Sequence, residues 1–317
     1  MSAIPFLREP VHPPGHHAVL APGVERLQGD NPGPFTYTGT GVFLLSDPAR
    51  SDGAVMVVDP GPDSAAHRAA LLAAIGRRKV SHILLTHHHL DHTAAVPWLR
   101  AETGAPVCGY PSPEFEADGA HPEGGDDGRV RPDRELGDGD RVRGDGVEVE
   151  AIHTPGHASN HLCYRLRERL FCGDHVMGWS TSVVVPPDGS MADYLRSLER
   201  VRTMAREGRV RTLHPTHGPA IAEPEEFVAA LIAHRQAREA GVLAAVEAGI
   251  VDIPAMVERL YVELDPRLVP AASQSVLAHL IALRAEGRVG GDRPDGLACR
   301  YAAGGGAQSG AGMGAKP

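Results

Sequence analysis

The sequence has few cysteines and lacks the segments typical of export or membrane insertion. Its 317 residues include four cysteines, none in a C-x-x-C spacing, which excludes a disulfide framework and favours a reducing compartment. The first ten residues contain neither a basic n-region nor a hydrophobic h-region, and no apolar run of membrane-spanning length is evident. We therefore expect a cytoplasmic protein with no membrane partner.

Basic charge is also scarce. The chain has 31 Lys and Arg residues against 40 Asp and Glu residues, a formal net charge of −9. Residues 223 to 293 carry eleven acidic and seven basic side chains. A protein that gains affinity by neutralising phosphates normally presents a basic face. The composition therefore argues against a general nucleic-acid-binding protein, although a local basic patch is compatible with it.

The chain does contain a dense cluster of side chains that bind metals. Residues 86 to 92 read T-H-H-H-L-D-H, which places His87, His89, Asp91 and His92 in an H-x-H-x-D-H pattern. Imidazoles and a carboxylate crowded together lose water and repel one another unless a cation lies among them. The pattern therefore indicates a metal site rather than a solvated loop.

The position of the cluster predicts how metal ions are held. The run Val80–Leu85 before it is apolar and predicts a buried strand, and the residues after it are typical of the start of a helix. In such a strand-to-helix loop His87 and His89 converge on one ion, whereas Asp91 and His92 face a second. Further ligands are expected where later strands end, and three candidates meet this condition: His157, Asp174 and His217.

In chain order, these positions resemble the metallo-β-lactamase superfamily over most of residues 20 to 220. Asp59, at the end of an apolar run, matches the first motif position and precedes the histidine cluster and the three later candidates. The resemblance implies two ion positions bridged by Asp174. The first would be held by His87, His89 and His157, and the second by Asp91, His92 and His217. Asp59 would fix a ligand imidazole by accepting its other ring hydrogen.

The resemblance also implies the chemistry. Two divalent cations lower the pKa of a shared water enough to give hydroxide near neutral pH, and they polarise the substrate oxygen. The chain would then be a hydrolase that uses metal-bound hydroxide on an ester-type bond, with Asp91 and Asp174 as catalytic residues and Asp91 as proton shuttle. Nitrogen and carboxylate ligands suit zinc, with iron and manganese as alternatives. Other nearby histidines are not expected to be ligands: His88, His153, His161, His175 and His214.

Periodicity through the first part of the chain predicts an α/β fold, an αββα sandwich with two sheets flanked by helices. Strands are predicted at Val42–Leu45, Ala54–Asp59, Val80–Leu85, Pro106–Cys108, Val147–Ile152, His161–Tyr164 and Leu170–Cys172. Helices are predicted at Asp63–Arg78 and Met191–Arg206.

The chain changes character after Glu223. Apolar residues at helical spacing predict helices at Pro224–Ala248, Ile253–Val262 and Val269–Glu286, and residues 287 to 301 contain a hairpin-like turn. Three helices and a hairpin predict a smaller, winged-helix-like domain. We expect a catalytic domain at residues 1–222, this second domain at 223–301, and a Gly- and Ala-rich disordered tail at 302–317.

The C-terminal arrangement is most like that of the β-lactamase-like protein 2 group, which includes endoribonucleases specific for single-stranded RNA, so the resemblance implies a hydrolase of that group with single-stranded RNA as the candidate substrate. The alternative within the same architecture is an acyl thioesterase, since sequence does not separate phosphodiester from thioester cleavage. A glyoxalase II-like thioesterase shares the ligand pattern, but its basic glutathione pocket is not evident. An alternative of another class is a non-catalytic, metal-stabilised binding protein, although structural zinc sites are normally closed tetrahedra.

The loop after Asp174 is the candidate for substrate contacts because it should pass over the metals. Its aromatic ring and hydroxyls suit a nucleobase or an acyl chain equally, and the candidates are Trp179, Ser180 and Thr181. Apolar helix faces in the C-terminal part allow pairing within the chain or across a homodimer.

Overall fold

A computed structural model of the chain describes residues 4–9, 11–50, 52–111, 128 and 130–304. The chain divides into two compact units, Met1–His234 and Arg235–Pro317. The domain boundary between residues 222 and 223 stays a prediction, as does the disordered tail, which falls mostly outside the described residues.

Two sheets form the first unit. The strands of the first sheet are β1 (His17–Ala21), β2 (Val24–Gln28), β3 (Gly41–Ser46), β4 (Val55–Val58), β5 (Val80–Leu84), β6 (Val107–Gly109) and β7 (Arg134–Glu135), in that spatial order. Pairing is antiparallel from β1 to β4 and parallel from β4 to β7. The strands of the second sheet are β8 (Arg141–Gly144), β9 (Val147–His153), β10 (Leu162–Leu166), β11 (Arg169–Gly173) and β12 (Thr212–Pro215).

Alternation along β3 explains how the layers stack. Val42 of β3 belongs to a buried cluster with Leu71 of helix α1 (Ala65–Ile75), on one face of the first sheet. Phe43, the next residue, belongs to a cluster between the two sheets, where its ring lies 4.9 Å from that of Phe171 in β11. Because neighbouring side chains point to opposite faces of a strand, β3, buried except at Ser46, has helix on one side and sheet on the other.

A second helix layer covers the other sheet. The short helices α2 (Leu90–Thr93) and α3 (Val96–Thr103) precede helix α4 (Met191–Arg206) in the chain. Ser190 caps the start of α4, because its hydroxyl accepts the backbone N–H of Asp193. From α4, Arg200 donates to the carbonyl of His153 in β9 at 3.1 Å. The predicted αββα sandwich is therefore confirmed.

The second unit has its own core. Its elements are α5 (Pro224–Glu247, which also contains the division between the units), α6 (Ile253–Leu260), a 3-10 turn (Pro266–Leu268), α7 (Val269–Ala285), β13 (Val289–Gly291) and β14 (Tyr301–Ala303). Residues from α5, α6, α7 and the β13–β14 hairpin pack into one buried cluster. The three predicted helices and the hairpin are confirmed, and β14 extends two residues beyond the predicted domain end at 301.

One helical stretch corrects an expectation from the sequence. Among the described residues, Pro266–Ala285 is long and apolar enough to cross a membrane by length and composition alone. However, 44% of its most apolar window is buried, and Val276, Leu280 and Leu283 lie in the core of the second unit. The stretch is apolar because it packs against several neighbours, as a core helix does.

Candidate metal centre

The histidine cluster occupies the predicted turn between a strand and a helix. β5 ends at Leu84, His87 and His89 lie in extended loop before α2, and Asp91 and His92 lie inside α2. His89 is the residue that caps α2, and its carbonyl accepts the hydroxyl of Thr93 at 3.0 Å. The imidazoles of His87, His89 and His92 are buried, whereas Asp91 keeps partial access to solvent.

Three imidazole nitrogens converge on one point. His89 Nδ1 lies 2.9 Å from His87 Nε2 and 3.1 Å from His157 Nε2. On its other side, His157 uses Nδ1 to donate to the carbonyl of Val183 at 2.7 Å. With its Nδ1 hydrogen used in that bond, the ring turns its other nitrogen, Nε2, toward the cluster. Nitrogen lone pairs this close repel one another unless a proton or a cation lies between them.

A second group of donors adjoins the first. His217 Nε2 lies 3.0 Å from Asp91 Oδ2 and 3.4 Å from Asp174 Oδ2. His92 Nε2 lies 3.6 Å from Asp91 Oδ2 and 3.5 Å from Asp174 Oδ2. His87 also groups with His92 and Asp174, so Asp174 stands between the two sets. The fold thus brings together all seven residues named as ligand candidates from the sequence.

Asp59 orients residues of the cluster through hydrogen bonds to its carboxylate. Its carboxylate accepts the Thr86 backbone N–H at 2.8 Å, the Thr86 hydroxyl at 2.7 Å and His92 Nδ1 at 2.9 Å. The Thr86 hydroxyl in turn lies 3.0 Å from His87 Nδ1. These bonds leave the Nε2 atoms of His87 and His92 as the donors that face the cluster. Asp59 itself has φ of 48°, a conformation in which Asp and Asn are better tolerated than Ala.

We expect Asp59→Ala to weaken both the fold and metal binding. The change removes the acceptor of four buried donors, the fourth being the Thr216 hydroxyl at 3.4 Å, and places alanine in a left-handed conformation, so stability should fall by on the order of 3 kcal/mol. Losing the bond to His92 Nδ1 should weaken metal affinity by about 10- to 100-fold. Urea unfolding and competition with a chromophoric chelator measure the two effects. Asp59→Asn retains one acceptor oxygen and the backbone preference, so equal losses in both variants would contradict this account.

The two halves of the cluster differ in charge. Burial, reinforced by the neighbouring imidazoles, lowers the pKa of His87 well below its ordinary value, and burial also lowers the pKa of His89. Burial acts in the same direction on His92 and His217, but the Asp91 and Asp174 carboxylates outweigh it. They raise the pKa of His92 well above its ordinary value and the pKa of His217 to about 10. In the first half, burial therefore favours uncharged rings at His87 and His89, whereas in the second half the carboxylates favour charged imidazoles.

The residues present fit divalent cations. Within the described part of the chain, three buried atoms of the cluster have no hydrogen-bond partner: His92 Nε2, Asp91 Oδ1 and Asp174 Oδ1. Buried polar atoms are normally paired, and ring nitrogens and carboxylate oxygens that converge in a buried site call for a positive ion. Imidazole and carboxylate donors suit zinc, iron and manganese.

One histidine beside the centre supports it in another way. His161 Nε2 accepts the backbone N–H of Asp174 at 3.2 Å, and His161 Nδ1 contacts the Thr154 hydroxyl at 2.9 Å. Both ring nitrogens are therefore engaged in placing the strand end that carries Asp174. The sequence predicts that His161 is not a ligand, and it lies outside the three groups of potential ligands among the described residues.

The proposed substrate loop begins directly after Asp174. Trp179 stacks on Tyr37 with ring centroids 4.8 Å apart and an interplanar angle of 15°. A side chain at Gly218, the residue after His217, would lie 2.7 Å from Trp179 Cδ1. The indole thus packs against the turn that carries a candidate ligand, and Ser180 and Thr181 follow it, half-buried.

Sequence reasoning missed several supporting groups. The carbonyls of Val183 and Gly39, which face the Nδ1 atoms of His157 and His217, are backbone groups and carry no signature in the sequence. Thr86 could have been found, because a hydroxyl directly before a ligand histidine is placed to accept its other ring hydrogen.

Known protein families match both parts of the chain. The model of the metallo-beta-lactamase superfamily matches residues 43–220, and that of the beta-lactamase associated winged helix domain matches residues 253–293. An atrochrysone carboxyl ACP thioesterase from Aspergillus fumigatus is 32% identical over 239 residues, which cover 72% of this chain and 66% of that protein. This chain thus spans about two thirds of the length of that thioesterase.

Two further proteins are similar over nearly the whole chain. A beta-lactamase-like protein 2 homolog from Drosophila melanogaster is 29% identical over 281 residues, covering 85% of this chain and 90% of that protein. The crystal structure of a metallo-beta-lactamase family protein from Thermus thermophilus has a TM-score of 0.71 and 27% identity, covering 90% of this chain and 100% of that one. The chain belongs to the metallo-beta-lactamase superfamily and carries the winged helix domain associated with it.

Proposed function

We propose that this chain is a cytoplasmic, dinuclear metal-dependent hydrolase that cleaves acyl thioesters. The observation that carries the proposal is the pair of adjacent donor sets with Asp174 between them. A single ion would leave buried donors of the other set without a partner, whereas two ions use all seven side chains.

The chain's own residues divide the work. His87, His89 and His157 would hold one divalent cation, and Asp91, His92 and His217 the other, with zinc preferred and iron or manganese as alternatives. Bound there, the cations would acidify water and polarise the carbonyl oxygen of the substrate. Asp174, which lies between the two sets, would contribute its carboxylate to holding the cations.

Asp91 is the residue best placed to move a proton. Its side chain is 14% exposed, against 2% for Asp174, so it is the carboxylate of the centre that a substrate can approach. Burial alone would raise its pKa, but His92 and His217 outweigh burial and lower it. Asp91 is therefore ionised at neutral pH and able to accept a proton from the attacking water. It can then pass that proton to the departing thiolate as the C–S bond breaks.

The surroundings of the centre favour an acyl thioester over RNA. The stacked rings of Trp179 and Tyr37, joined to the centre through Gly218, offer an apolar surface for an acyl group. The relative from Aspergillus fumigatus is named as a thioesterase that acts on an acyl carrier protein substrate. The net charge of −9 disfavours a polyanionic substrate such as RNA.

A parallel assay tests the proposal. Protein loaded with zinc is given an aromatic acyl thioester of N-acetylcysteamine, S-lactoylglutathione, fluorescent single-stranded RNA and a chromogenic cephalosporin. We expect hydrolysis of the aromatic thioester above all others, and none by an Asp174→Ala variant. RNA cleavage without thioester turnover would overturn the choice of substrate. Two bound metals with no turnover of any substrate would contradict thioester hydrolysis and leave only metal binding.

A further inference from the structure

The first unit contains a buried arginine that the proposed mechanism does not use. Arg26, in β2, is 2% exposed, and among the described residues no carboxylate lies within ion-pair distance of it. Burial lowers its pKa to about 10, which leaves the guanidinium charged at neutral pH. A buried charge without a counter-charge is costly, so hydrogen bonds to other groups must hold it in place.

Those hydrogen bonds lead to the turn that carries His217. Arg26 Nη1 donates to the Gly218 carbonyl at 2.7 Å, and Nη2 donates to the Thr216 carbonyl at 3.0 Å. The two acceptors flank His217 on either side. Because a guanidinium is planar and its donors have fixed directions, two such bonds fix the orientation of the turn as well as its position.

A glycine on the neighbouring strand provides the space for this contact. A Cβ atom at Gly41, the first residue of β3, would lie 2.5 Å from both Nε and Nη2 of Arg26. Gly41 also donates its N–H to the Thr216 carbonyl at 2.8 Å. The guanidinium therefore reaches the turn only because residue 41 lacks a side chain.

The same turn also contacts the proposed substrate loop. Gly218 has φ of 93°, and a side chain there would meet Trp179 Cδ1 at 2.7 Å. A shift of the turn would therefore move both the His217 imidazole and the surface against which Trp179 packs.

We propose that Arg26 is a positioning residue for the second metal position. By donating hydrogen bonds to the carbonyls of Thr216 and Gly218, it keeps His217 close to Asp91 and Asp174. The contact requires glycine at position 41. This inference rests on the proposed dinuclear function, but it concerns metal occupancy and not the choice of substrate.

Counting bound metal in four variants tests the proposal. Arg26→Met keeps the length of the side chain but removes both hydrogen bonds, and it should lower bound zinc from two equivalents to one. Arg26→Lys keeps the charge but replaces the forked guanidinium with one ammonium nitrogen, and it should weaken binding of the second equivalent by about 10-fold. Gly41→Ala should displace the guanidinium and reproduce the loss seen in Arg26→Met. In the double variant that combines Arg26→Met with Gly41→Ala, the losses of zinc affinity should not add, because both changes break the same contact.

A matched core variant separates positioning from general destabilisation. Val24 lies two residues before Arg26 on the same strand and is buried between the sheets. Val24→Ala should lower the melting temperature yet bind two equivalents. Two equivalents at wild-type affinity in Arg26→Met would overturn the proposal, and so would additive losses in the double variant. Should Arg26→Met fail to fold, Arg26→Lys and Gly41→Ala decide the matter on the same readout. Wild-type protein that binds two equivalents but hydrolyses no thioester contradicts only the proposed substrate.

Discussion

Asp174→Asn should reduce turnover by on the order of a thousandfold, the largest effect expected of any single substitution. The change keeps the size of the side chain but removes its negative charge. Asp174 Oδ2 lies 3.4 Å from His217 Nε2 and 3.5 Å from His92 Nε2, so the loss of charge falls where the two donor sets meet. Bound metal, measured by elemental analysis, should fall below two equivalents, and the remaining ion should stay with His87, His89 and His157.

A surface aspartate provides the control for that substitution. Asp63 forms an exposed ion pair with Arg68 near the start of α1, and such pairs contribute at most about 1 kcal/mol. Asp63→Asn should leave turnover and metal content unchanged. If Asp174→Asn retained two equivalents of metal and turned over within tenfold of the wild type, Asp174 would not be the group between two ions.

Local sequence signals predict most of the regular structure, and β2 shows why a strand can be missed. Helix α6 carries strong amphipathic periodicity, and the strands β3 and β4 are continuous apolar runs, signals that depend on the segment alone. β2 is not predicted because its sequence, V-E-R-L-Q, contains two charges. All five residues are buried nonetheless, since Glu25 pairs with Arg78 and Arg26 reaches the turn at His217. Only tertiary contacts make such a strand stable.

In the candidate centre, the ligand residues are predicted from the sequence, whereas the groups that orient them are not. Ligand candidates are conspicuous because they combine a residue type with a position at the end of a strand. The groups that orient these ligand candidates have no such signal in the sequence. The carbonyl of Val183 belongs to the backbone, and the hydrogen bonds of Asp59 depend on a left-handed conformation that its sequence neighbours do not dictate. A motif thus identifies donors, whereas their alignment follows from the whole fold.

Removing metal with a strong chelator should abolish activity and should also destabilise the first unit. Without cations, His89 Nδ1 faces two other ring nitrogens at 2.9 and 3.1 Å, and the carboxylates of half-buried Asp91 and buried Asp174 rely on protonated His92 and His217. Ions that bind only the folded state stabilise it by about 4 kcal/mol when free metal is a thousandfold above Kd. The first unit should therefore melt several degrees lower after chelation, as measured by calorimetry.

The second unit provides an internal reference for this experiment. None of the seven ligand candidates lies in Arg235–Pro317, so any separate transition of that unit should stay at its temperature. Adding zinc back should restore the first transition, and Asp174→Asn, with fewer ions to lose, should shift less on chelation than the wild type. Unchanged melting of both units in metal-stripped protein would mean that the clustered imidazoles and carboxylates satisfy one another through protons alone, and the metal centre would have to be abandoned.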